Sequence, residues 1–205
     1  MNVNAIDYDA IISIGNKCPT AMILRELGIY RESFPFDYVP TTPELILKFL
    51  KDPVEFYPGK GQIVTADGLW FGHFDLHSGY DVTMETFKRR FDRLFNLLEL
   101  KKRILFVYTS EADIYNEMGN RYRNNYMDLI RFRDYISEKY QISDFLILAI
   151  HTNKVYENEA NMVNYTIHID QKYMSDNKET NCPEVWDLYR NLLRTLFSKI
   201  FLGTF

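Results

Sequence analysis

Ala10-Ile11-Ile12-Ser13-Ile14-Gly15-Asn16-Lys17-Cys18-Pro19 decides how the chain is built. Ala10 to Ile14 is a short apolar, β-branched run. Gly15 to Lys17 reads as a tight loop, and Cys18-Pro19 opens an amphipathic stretch that closes at Gly28. Proline suits the first helical position because its missing donor would have no partner there, and glycine takes the left-handed cap at the other end. The prediction is strand, loop, helix, with Cys18 at the N-cap.

Working outward, Ile104 to Tyr108 and Phe145 to Ile150 are continuous apolar runs, and Val163 to Ile169 alternates. Between them lie helical periods. The clearest is Met84 to Leu100, where Phe87, Phe91, Leu94, Phe95 and Leu98 share one face and Lys88, Arg89, Asp92 and Arg93 lie opposite. Tyr122 to Tyr140 and Val185 to Leu202 are predicted helices as well. Apolar strands separated by helices imply an α/β fold, a mostly parallel sheet flanked by helices on both faces.

The region between the first two strands adds detail. Thr41 with Glu44 three residues on makes a capping box, starting a helix whose buried face is Leu45, Ile46, Phe49 and Leu50. Ser33 to Tyr38 is predicted to be extended, because the residue before a proline avoids the helical region. Gln62 to Ala66 and Leu69 to Phe74 flank Asp67-Gly68, which predicts one β-hairpin insertion. Met174 to Pro183 reads as a polar loop.

Composition sets the outer bounds. A chain of 205 residues with 46% hydrophobic and 25% charged residues is expected to form a single α/β domain over 1–205. Fifteen Tyr and fifteen Phe predict a heavy aromatic core. Net charge −4 gives no reason to expect a nucleic-acid or anionic-membrane partner. No apolar run approaches the roughly 20 residues needed to cross a bilayer, and the N-terminus lacks a basic start followed by an apolar stretch. The expectation is a soluble, cytoplasmic protein. Cys18 and Cys182 are the only cysteines, too few for a disulfide framework. No residue pattern calls for a cofactor, and the oligomeric state is left open.

Ligands of open α/β sheets sit beyond the carboxyl ends of the strands. Those ends carry Asn16, Lys17 and Cys18, then Ser110, then His151. The positive end of a helix dipole favours the thiolate, so Cys18 is a candidate nucleophile, with a small buried residue as the alternative. His73, Asp75 and His77 alternate as at a strand end, a spacing that suits either a metal or a solvated face. His73, between Phe71-Gly72 and Phe74, is the better general base, with His151 as competitor and Asp37 or Asp75 as the group that orients it. His168 reads as structural or exposed. Arg89 and Arg93, four apart, suit an anion clamp or an ordinary charged helix face. Trp70, Tyr122 and Tyr126 read as core.

Three blocks in series carry a family resemblance: Ile11 to Cys18, Ser33-Phe34-Pro35-Phe36-Asp37-Tyr38, and Trp70-Phe71-Gly72-His73-Phe74-Asp75, followed by Phe87 to Phe91 and Ile104 to Val107. Over residues 9 to 110 the chain resembles a family of uncharacterised proteins of bacteria and large DNA viruses labelled putative papain-like cysteine peptidases. The resemblance implies that Cys18 matches the family's cysteine, His73 its histidine and Asp37 its acid, and, for a viral source, a host-cytoplasmic location. The function expected from residues and resemblance together is a cysteine-dependent hydrolase or acyl transferase acting on a peptide or small acyl substrate. A non-enzymatic viral accessory or interaction protein, and an anion-binding transferase centred on Lys17, Arg89 and Arg93, are the alternatives.

Overall fold

The computed structural model describes residues 3–15, 18–110, 126–169 and 183–203, with side chains from 187 onward in the last stretch. Four strands, β1 (Ala10–Ser13), β2 (Ile104–Thr109), β3 (Phe145–Thr152) and β4 (Met162–Ile167), form one sheet in the order β1-β2-β3-β4. All neighbours are parallel. Five helices accompany them: α1 (Pro19–Glu26), α2 (Pro43–Lys51), α3 (Tyr80–Glu99), α4 (Tyr126–Tyr140) and α5 (Pro183–Phe197). The predicted α/β class is the observed one.

β2 is buried along its whole length, as a strand covered on both faces should be. Strand side chains alternate, so Phe106 and Thr109 leave the sheet on opposite sides. The Phe106 ring meets Phe132 of α4 at 5.1 Å, while Thr109 Oγ1 shares a 2.5 Å hydrogen bond with Thr20 Oγ1 of α1. α2 and α3 pack on α4, and α5 packs on α1. Helices therefore cover both faces.

The connection from β1 to β2 is long and holds α1, α2 and α3, tied together by aromatic packing. Phe56 is the hub, with ring centroids of Phe36, Phe49, Phe71, Phe87 and Phe91 at 6.0, 5.4, 5.4, 5.1 and 5.2 Å. The aromatic excess in the composition is thus concentrated under the segments that carry Asp37 and His73.

Three local expectations change. The hairpin shrinks to an arm with one antiparallel bridge, Val64 to Trp70, closed by N–H bonds from Thr65 to Leu69 O and from Phe71 to Ile63 O. Gly68 turns it at φ +76°, and a turn at Gly72–His73 ends the pairing. Ser33 to Tyr38 is not extended throughout: Pro35–Tyr38 is a turn, with Asp37 N–H on Phe34 O and the Asp37 carboxylate on Phe34 N–H. An Asp side chain that can reach a local amide offers the backbone this alternative to extension. The cap of α2 is Thr42, whose Oγ1 accepts from Leu45 N–H, because Pro43 takes the first helical position. Among the described residues no helix is long and apolar enough to cross a membrane.

Candidate active site

The site begins where β1 hands over to α1. Gly15 lies so close to the sheet that a Cβ there would sit 2.1 Å from Thr20 Oγ1 and 2.7 Å from Thr109 Oγ1. The absent side chain allows the buried Thr20–Thr109 bond, which pins the start of α1 to the end of β2. Gly15→Ala is expected to push α1 off β2 and lower stability by about 1–3 kcal/mol, as overpacking does, in a urea titration. Cys18 then occupies the N-cap with helical dihedrals (φ −52°, ψ −36°), and its side chain makes no capping bond. Its Sγ lies 3.5 Å from His73 Nε2.

His73 reaches the thiol from the arm. Leu69 and Phe71 are fully buried and anchor it, and the imidazole stands at its exposed end. Two rings hold the imidazole in orientation, Trp70 at 4.9 Å and Tyr38 at 6.1 Å, both near edge-to-face. Residues 9–67 match the family model described as putative papain-like cysteine peptidase. The matched stretch contains Cys18 and Asp37, and His73 lies just beyond it. No curated protein and no solved structure matches the chain.

Within the stretch of the peptidase-family match, Asp37 is fully buried, and its carboxylate is engaged by groups other than His73. It accepts from Tyr30 OH at 2.6 Å, Phe34 N–H at 3.1 Å and Arg25 Nη2 at 3.2 Å. Arg90 supplies a second positive charge toward it while stacking over Phe74 and Phe87, with Nη1 buried and unbonded. Burial pushes the Asp37 carboxyl up, against the pull of Tyr30, Phe34 and the two guanidiniums. Burial first, and then the Asp37 charge, push the Tyr30 phenol well above its ordinary value. The residue after Asp37 is Tyr38, at φ +64°, whose ring meets His73 and lies under Arg25 at 5.9 Å. Asp37 is therefore linked to the imidazole through Tyr38 rather than by a direct bond.

Asp75, the substitute acid, is also committed elsewhere. Its carboxylate accepts from Ser78 Oγ at 2.6 Å, Gly79 N–H at 2.8 Å and His77 N–H at 2.9 Å, capping the turn that leads into α3. The Ser78 bond, then that of His77, holds the carboxyl below the usual range. His73, Asp75 and His77 stand on successive turns and not on a strand end, and no three-ligand metal cluster forms among the described residues.

The remaining candidates separate by sheet face. His151 is buried on the α4 side, near Tyr108, Tyr126 and Tyr156, with Nε2 at 2.8 Å from Asn164 Oδ1. Cys18 opens α1 on the other side, which corrects the idea of His151 as a competing base. Ser110 is buried, and its carbonyl accepts from Thr152 Oγ1 and Tyr189 OH. Arg93 donates to Ser33 O at 2.7 Å and pairs with Glu32, so it braces the Asp37 turn. Arg89 is exposed on the same helix, while Arg93 is engaged by Ser33 and Glu32. Asn16, Lys17, Cys182 and Tyr122 lie outside the described residues. Trp70 is 41% exposed and not core. Trp70 and Tyr38 are the site residues that the sequence reading missed. Gly72 beside His73 was the available signal, since a Cβ there would meet Trp70 Cζ2 at 2.0 Å.

Proposed function

We propose that the protein is a cysteine-dependent acyl hydrolase of the peptidase type, with Cys18 as nucleophile and His73 as base. The 3.5 Å contact of Cys18 Sγ with His73 Nε2 at the N-terminus of α1 carries this reading, and the peptidase-family match over residues 9–67 supports it. His73 Nε2 accepts the thiol proton, and the thiolate attacks the carbonyl carbon of a peptide or small acyl substrate. The carbon–leaving-group bond breaks as His73 returns the proton to the departing amine or alkoxide. Water, deprotonated by His73, then cleaves the thioester to acid and thiol. Pro19 has no N–H and Thr20 and Ala21 are buried, so the amide of half-buried Cys18 is the donor this helix start offers to the oxyanion.

In this reading Asp37 is a positioning residue that seats Tyr38 against the imidazole. A reducing compartment such as the cytoplasm keeps such a thiol active. Incubation with p-nitrophenyl acetate followed by mass spectrometry tests the chemistry. An acetyl group should appear on Cys18 and turn over, and be absent there in Cys18→Ser protein. Acetylation of Cys182 and Cys18 at equal rates, or of neither, would overturn the assignment.

A further inference from the structure

The arm that carries His73 also carries exposed apolar surface. Hydrogen bonds bracket Val64 and Trp70 on both sides, so these two are a non-hydrogen-bonded pair whose side chains share one face and lie close together. Leu69 and Phe71, flanking Trp70, point into the core, and alternation sends Trp70 and Val64 outward, 41% and 50% exposed. A Cβ on Gly72 would lie 2.0 Å from Trp70 Cζ2. The glycine thus lets the indole fold along the arm until it meets the His73 ring at 4.9 Å. The same imidazole presents Nε2 to Cys18 Sγ. Asp67, the acidic residue of the arm, is turned to Lys48 at 2.9 Å, an ammonium it shares with Glu55.

We infer that Trp70 and Val64 form a subsite for a large apolar side chain, and that the substrate carries an aromatic or branched aliphatic group beside the attacked carbonyl. The inference rests on Cys18 and His73 being nucleophile and base. An indole and an isopropyl group left in water beside the reacting atoms gain from being covered, and a substrate group adjacent to the carbonyl is placed to cover them.

Two peptidyl chloromethyl ketones that differ only in Phe or Gly next to the ketone test it. Their second-order rates at Cys18 are each divided by the iodoacetamide rate of the same protein. The wild type should prefer Phe by about tenfold or more, in the range that apolar pockets achieve. The preference should fall toward unity in Trp70→Ala and shrink in Val64→Asp. Equal rates in the wild type, or a preference that survives both substitutions, would overturn the subsite. If Cys18 reacts with iodoacetamide no faster than Cys182, the nucleophile assignment fails instead. The subsite then stands or falls on Cys18→Ala, Trp186→Phe protein, in which Trp70 is the sole tryptophan. N-acetylphenylalaninamide, and not N-acetylglycinamide, should shift its fluorescence, and the absence of a shift overturns the subsite.

Discussion

His73→Ala is expected to slow acetylation of Cys18 by about 10²–10⁴-fold, the range a positioned general base contributes. The His73 imidazole lies 3.5 Å from the thiol, whereas His151 is buried on the α4 side of the sheet. Because His73 is exposed at the end of an arm held by Leu69 and Phe71, the variant should keep its urea midpoint close to that of the wild type. A rate within threefold of wild type, with folding intact, would remove the imidazole from the chemistry.

Asp37→Ala is expected to lower stability by about 3 kcal/mol, the lower end for truncating one partner of a buried ion pair. The carboxylate is fully buried and its loss strands Tyr30 OH and Phe34 N–H, while Arg25, a third exposed, recovers some water. Thiol reactivity should fall in the same variant, because Tyr38 loses the turn that seats it on His73. The pH dependence has a definite sign. A carboxyl raised in the folded state stabilises fully below its unfolded value and loses that contribution as pH rises through the folded value. The stability gap between wild type and Asp37→Asn should therefore be wider near pH 4 than at pH 7. A gap that narrows toward acid would contradict the burial-dominated shift.

Most of the architecture was legible because it rests on period and punctuation. Ile104 to Tyr108 and Phe145 to Ile150 are continuous apolar runs, which a parallel sheet covered on both faces accommodates. Cys18 at a helix start followed from Pro19. What failed was decided by tertiary contact. Asp37 stands three residues from an amide it can bond, and the resulting turn, not an extended run, is what buries its charge. His73 and Asp75 alternate in sequence, yet Gly72 and the Asp75 turn break the strand that would have put them on one side. Arg93 looked like half of an anion clamp, and its donor is spent on Ser33 O, a partner sixty residues away that no helical spacing reveals. The exposure of Trp70 follows from alternation, because Leu69 and Phe71 on either side of it take the core-facing positions of the arm.

The start of α1 and His73 are together expected to hold the Cys18 sulfur as a reactive anion. The rate of iodoacetamide alkylation at Cys18, followed by peptide mass spectrometry from pH 4 to pH 10, measures this directly. A rate that rises to its plateau with an apparent midpoint well below about 8.5 is the predicted result. A midpoint at or above that value, unchanged by His73→Ala, would contradict it.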